Sequence, residues 1–429
     1  MRSILISLAS LIGSSFFVQF SNAAVITFVA IIIAESGGTQ SDVALIASAY
    51  SVGFILGCFL APPQIFRIGL VRGYAAAAGV MTIAIVALEL LDGIAALTVL
   101  RFLMGASFAA VMAIADSWIN DKAPSDQRGR ILAVYSVFLG LASILSQVFF
   151  LTLDATEDGF VLTFAISMNM AVVLVALGTT KQPKLGGTAP KYLRPLSFVS
   201  TPATIAAFNS GFCTTAIIAI TPFYLAEHGV DENLIAMVIG AIYLGRLACQ
   251  WPIGLISDRL DRRTLLFALS VAVIALCFLS LLVGGGQGQN ITGDRGVLVQ
   301  ALGFLVSFAL GGALYPMYSV AAALAFDRAE GRSMMEISTT MLVVHSIGAI
   351  MGPIAVIFLS GFFGDFALHV ASMFTCALVA VSCVVGKAIR APAESPTKAV
   401  ASVTTNSVGM AETSAEIVEE RIEEQSTAS

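Results

Sequence analysis

The 429-residue chain is 58% hydrophobic and only 11% charged, and its mean hydropathy is +0.92. That composition excludes a water-soluble domain. The formal net charge of -5 conceals a segregation of sign along the chain, and no nucleic-acid partner is expected from it.

Twelve apolar runs follow one another over residues 4–34, 42–62, 73–91, 94–119, 130–152, 160–178, 202–226, 233–256, 265–285, 297–326, 335–360 and 366–388. Each is close to the roughly 20 residues that a helix needs to cross hydrocarbon. Strands are excluded, because open sheet edges cannot face lipid and a barrel would alternate in polarity. The start, Met1-Arg2 before an apolar stretch, resembles a cleaved signal. Apolarity continues to Ala34, too far for a signal core, so a retained first span is expected.

Of the 22 Lys and Arg, 19 fall in the N-terminus, alternate loops and the C-terminal tail. Glu35, Asp42, Asp92, Asp154, Glu157, Asp158, Asp231 and Glu232 occupy the other loops. Cytoplasmic loops retain Lys and Arg during insertion, which places both termini in the cytoplasm, in a bacterial inner membrane. The expected class is therefore an all-α polytopic membrane protein with the lipid bilayer as its partner.

The longest basic loop runs from Lys181 to Arg194, broken by Pro183 and Pro190. It divides the chain into a six-helix bundle over 1–178, a cytoplasmic linker over 179–201, a second bundle over 202–388 and a disordered tail over 389–429. The tail is acidic, with Glu412, Glu416, Glu419, Glu420, Glu423 and Glu424 against Arg421. Sliding the chain on itself by 192 residues aligns Gly53 with Gly245 and Arg67 with Arg259. A slide of 206 aligns Gly105 with Gly311, and one of 202 aligns Gly129-Arg130 with Gly331-Arg332. Two like halves are what alternating access about a mid-membrane site requires.

Gly254-Leu-Ile-Ser-Asp258-Arg259-Leu-Asp261-Arg262-Arg263 resembles the loop signature of the major facilitator superfamily, with Asp261 in place of its second glycine. Arg67-Ile-Gly69-Leu-Val-Arg72 is a degraded copy in the first half, with Phe66 where the acid should stand. Gln250-Trp251-Pro252, Asp116-Ser-Trp118-Ile-Asn120, Leu314-Tyr315-Pro316 and Gly348-Ala-Ile-Met-Gly352-Pro353 are similar to the YcaD-like branch. The resemblance implies two pseudo-symmetric six-helix bundles and secondary transport of a small molecule.

The signature implies a gate. Asp258, at a helix end, is placed to meet the positive N-terminus of the fifth span near Gly129 and Arg130, an attraction of about 0.3–2 kcal/mol. Arg67, Gly69, Gly254, Arg259 and Arg263 complete the expected gating set. With Phe66 in the first copy, the latch would be one-sided. The basic residues serve equally well as topology signals, and both readings stand.

The superfamily lines its cavity with the first, fourth, seventh and tenth spans, which directs attention to Gln19 and Asn22, to Arg101, Phe108 and Met112, to Asn209 and Phe212, and to Tyr315 and Tyr318. Arg101 is the leading candidate for substrate binding or coupling, because an arginine within a span costs at least about 2.5 kcal/mol and turns to a cavity or partner. Snorkelling to the outer interface is its alternative. Arg246 reads as support for the loop signature. His345 could report protons or be a packing residue. Apart from Arg101, Arg246 and His345 no clearly mid-membrane ionisable group is expected, and in particular no buried acid pair.

Hydroxyl, amide and aromatic groups suit a neutral or weakly anionic organic solute, with flat rings stacking on aromatic faces. Uptake of a riboflavin-like vitamin fits this inventory. Export of drugs or metabolites is the alternative, although the fifth span, Val134 to Ser146, lacks that group's proline. A membrane enzyme lacks support in the sequence: only His228, His345 and His369 are available, without a catalytic constellation. No phosphate-binding loop appears, so a proton, another coupling ion or the solute gradient must drive the cycle. The six cysteines show no CxxC spacing, so neither metal nor disulfide is expected. No cofactor is expected, and the carrier is expected to be a monomer.

Overall fold

The computed structural model describes residues 2–91, 93–122, 128–152, 159–178, 200–284, 294–328 and 334–389. The expected tail and most of the linker lie outside them, as does the repeat at Gly331-Arg332. The described residues fold into α1 (Arg2–Glu35), α2 (Gln40–Ile68), α3 (Leu70–Ala87), α4 (Ile94–Lys122), α5 (Arg128–Phe150), α6 (Phe160–Leu177), α7 (Thr201–Glu227), α8 (Glu232–Ser257), α9 (Arg262–Gly284), α10 (Asp294–Phe326), α11 (Met334–Phe363) and α12 (Ala367–Ile389). Among the described residues, eleven stretches are long and apolar enough to cross a bilayer, and the last, Ile337–Gly386, runs through both α11 and α12.

Helices are forced here because hydrocarbon offers no partner to an open backbone. Two of them, α2 and α8, start on polar side-chain caps. Thr39 and Asp42 form a reciprocal capping box at the start of α2, with the Thr39 amide donating to Asp42 Oδ2 at 2.8 Å. Asp231 accepts from the Asn233 amide at 3.1 Å at the start of α8. Gly69 turns the chain between α2 and α3 at φ +86°, a conformation that a side chain would strain.

The two halves repeat one packing plan. In the first, α4 packs on α2 and α3, α1 on α5 and α6, and α3 on α6. In the second, α10 packs on α8 and α9, α7 on α11 and α12, and α9 on α12. Adding six to a helix number carries one plan onto the other. The match extends to single residues. A Cβ at Gly53 would lie 2.1 Å from the Phe102 carbonyl oxygen, and one at Gly245 would lie 1.8 Å from that of Phe308. A Cβ at Gly105 would lie 2.1 Å from the Tyr50 oxygen, and one at Gly311 would lie 2.0 Å from that of Ile242. The slides of 192 and 206 relate each member of these pairs to its counterpart. Small residues thus let helix backbones touch, the usual device where lipid removes the hydrophobic drive for association.

The halves meet along a seam formed by α2 with α11, α5 with α8, and α7 with α1 and α2. Ser48 Oγ donates to the Ile350 carbonyl at 3.0 Å, and Ser51 Oγ reaches that of Ala349 at 3.4 Å. Ala219, Phe223 and Leu225 of α7 join the core of the first half. These contacts lie toward the membrane face remote from the chain ends.

Large apolar side chains remain exposed on the outer surface, among them Ile83, Leu177, Phe358 and Phe374. In water such a surface would aggregate; in a bilayer it is the solvated surface.

Candidate functional site

A cavity of about 190 Å³ opens between the halves beside the seam. From α1 it receives Gln19 and Asn22, from α2 Tyr50 and Phe54, and from α4 Arg101 and Phe108. The second half contributes Thr214 and Thr215 of α7, Tyr243 and Arg246 of α8, Tyr315 of α10, and His345 and Ser346 of α11. Apart from His345, the titratable lining groups are tyrosines and two arginines, with no carboxylate among them.

The polar lining is held from behind. Gln19 Nε2 donates to Ser143 Oγ at 2.9 Å, fixing its amide against α5. Its Oε1 is buried with no protein donor among the described residues. Tyr50 Oη donates to Asn22 Oδ1 at 3.0 Å. The Arg101 guanidinium lies over the Tyr50 ring, 4.5 Å from its centroid, and that of Arg246 lies 4.7 Å from the Tyr315 centroid. His345 meets Tyr318 edge-on at 4.9 Å.

Gln19, Asn22, Arg101, Phe108, Tyr315 and His345 are therefore gathered at one cavity. Met112, Asn209, Phe212 and Tyr318 lie in the packing around it. Met112 shares a helical stripe with Arg101, but eleven residues carry it about 16 Å along α4, past the cavity. Asn209 is fully buried, its Nδ2 3.5 Å from Cys376 Sγ and its Oδ1 accepting from Cys213 Sγ at 3.4 Å. The cavity face of α7 is instead that of Thr214, Thr215 and Ile218. Tyr318 is 2% exposed, packed in the core of the second half.

Tyr50, Phe54, Tyr243, Arg246 and Ser346 were outside the expected lining, which was confined to four spans. The spacing of Tyr50 with Phe54, and of Tyr243 with Arg246, would have marked one face each of α2 and α8. Arg246 faces the cavity, not the loop signature. One acid is nevertheless buried. Asp116 is 1% exposed inside the first half, beside Tyr135, which in turn neighbours Ser15 and Tyr74.

At the face bearing the chain ends, Asp258 follows α8 with 44% of its side chain exposed, 3.9 Å from Arg262. Arg67, Gly254 and Arg259 are exposed, and Gly69 forms the α2–α3 turn. Arg262 forms an ion pair with Asp327 and donates to the Ala323 carbonyl at 2.9 Å, while Arg263 donates to that of Gly386 at 2.6 Å. These two arginines tie α9 to α10 and α12 within one half. The side chain of Arg130 lies outside the described residues, and with it the expected contact with Asp258.

A family model described as Major Facilitator Superfamily matches residues 11–286 and 203–418. The chain belongs to this superfamily. It resembles the YcaD branch, being 25% identical over 334 residues to the uncharacterized MFS-type transporter YcaD of Escherichia coli O139:H28, across 76% of this chain and 82% of that one. An uncharacterized MFS-type transporter of Enterobacter sp. (strain 638) is 25% identical over 330 residues, with the same coverage. Solved superfamily structures share the fold. A bacterial homologue of the human lysosomal transporter Spinster aligns with TM-score 0.60 at 18% identity, over 90% of this chain and 95% of that one. The nucleoside transporter NupG aligns with TM-score 0.63 at 10% identity, over 89% and 99%.

Proposed function

We propose that this chain is a secondary transporter of a small organic solute, neutral or weakly anionic, working by alternating access in a bacterial inner membrane with both termini cytoplasmic. The observation carrying the reading is a mid-membrane cavity that meets a packed seam on the side away from the chain ends. In that orientation the state described is open toward the cytoplasm. Residues 1–178 and 202–388 then rock against one another as the two working units. Separation of Ser48 from Ile350 opens the outer side, and closure near Asp258 and the start of α5 seals the inner one. A proton or other ion gradient, or that of the solute, supplies the drive, and a single chain suffices because the cavity is built within it.

A single cysteine placed at Ser346, in a background without the six native cysteines, tests this reading. An impermeant maleimide should label it faster in inverted than in right-side-out vesicles. Labelling confined to the outer face would overturn it. For specific solute, a riboflavin-like vitamin is the sharpest reading, since Tyr50, Phe54, Phe108 and Tyr315 supply ring faces. A vitamin-requiring strain that expresses the chain and still fails to take up labelled riboflavin removes it.

A further inference from the structure

We propose that Arg101 and Arg246 together bind an organic anion, a carboxylate or phosphate monoester on a flat ring, with one guanidinium supplied by each half. This rests on the reading that the cavity carries the solute, and it decides between the neutral and anionic alternatives.

A cation inside a bilayer must be compensated. Arg101 is 4% exposed, and its Nη1 donates to Met104 Sδ at 3.9 Å, a weak acceptor. Among the described residues neither Arg101 nor Arg246 forms an ion pair, and the cavity they share is lined by no carboxylate. Each is instead laid over a tyrosine ring. That contact recovers about 0.5–2 kcal/mol. It also uses only the face of the guanidinium, so the planar fork of N–H donors stays available to an incoming oxyanion. A cationic solute would meet two like charges and no counter-ion.

The arrangement follows the pseudo-symmetry with the roles exchanged. In the first half the arginine stands on α4 and the tyrosine on α2; in the second the arginine stands on α8, the counterpart of α2, and the tyrosine on α10, the counterpart of α4. By the slide of 192, Arg246 corresponds to Phe54, one turn beyond Tyr50. The second pair therefore stands about 6 Å or more nearer the face bearing the chain ends. Tyr243 has both arginines as charged neighbours, which places it between the two pairs. An anion held at both bridges the halves, so its binding is linked to their relative position.

Thermal unfolding of the purified full chain with matched probes tests this: riboflavin against riboflavin 5'-phosphate, and benzyl alcohol against benzoate. The anionic member of a pair should stabilise the parent more than its neutral partner does. In Arg101→Gln and in Arg246→Gln the apparent affinity for that anion should fall about tenfold or more, the worth of one charge-assisted hydrogen bond. Arg246→Lys, which keeps charge but loses the fork, should fall between and serves where a Gln variant aggregates. Equal stabilisation by neutral partners, no stabilisation by either anion, or parental affinity in Arg246→Gln overturns the proposal. Vesicle labelling at Ser346 is read without any anion. A chain that labels from the cytoplasmic side yet ignores anions therefore keeps the transport reading and loses this one.

Discussion

Gly245 packs its Cα against the backbone of Phe308, so that a Cβ there would lie 1.8 Å from the carbonyl oxygen. The obstruction is backbone, which cannot rotate away as a side chain can. Gly245→Ala should force α8 from α10 and destabilise by about 1–3 kcal/mol or more. Gly303→Ala, on α10 with nothing within 4 Å of its Cβ, should be nearly neutral. Thermal unfolding in detergent compares the two, and equal losses would refute the close approach.

Arg262 is 2% exposed, and its charge is balanced by Asp327. Asp327→Asn should therefore cost up to about 3–5 kcal/mol, because it removes the nearer of the two carboxylates beside a buried cation. Arg262→Met combined with Asp327→Leu should cost less than the sum of the two single changes. Additive losses would show that the pair is not coupled.

Gln147 on α5 accepts from Thr27 Oγ1 at 3.0 Å and donates to Ser146 Oγ at 3.1 Å. Gln147→Leu should destabilise the first half by about 0.6–1.7 kcal/mol, the range for hydrogen bonds between membrane helices. Thr27→Val in the same background should add little. A full additional loss in the double variant would place Thr27 with another partner.

Asn209→Ala should lower stability through its contacts with Cys213 and Cys376 and leave anion affinity within about twofold, since its amide is outside the cavity lining. A tenfold loss of affinity with unchanged stability would move Asn209 into the binding site.

The membrane fold was legible because lipid permits so few solutions: long apolar runs had to be helices, and the Gly53/Gly245 and Gly105/Gly311 matches already marked the repeated crossings. The cavity was less legible. A helical stripe fixes direction but not depth, so Met112 was grouped with Arg101 although it packs well below it. Asn209 looked like a ligand because it is polar, yet it is held by Cys213 one turn on and by Cys376 on α12, and no spacing announces the second partner. Arg246 was assigned to its nearest motif, when its partner is a tyrosine on another helix. Asp116 was treated as a motif letter, and only its packing beside Tyr135 reveals its burial.

The staggered heights of Arg101 and Arg246 bear on how a charged cargo crosses oil. Hydrocarbon punishes a bare oxyanion over every ångström of travel, and the steepest stretch lies midway. With one cationic foothold set higher and the other lower, the cargo could step between them instead of leaping, and the tallest part of the hill would be crossed in company.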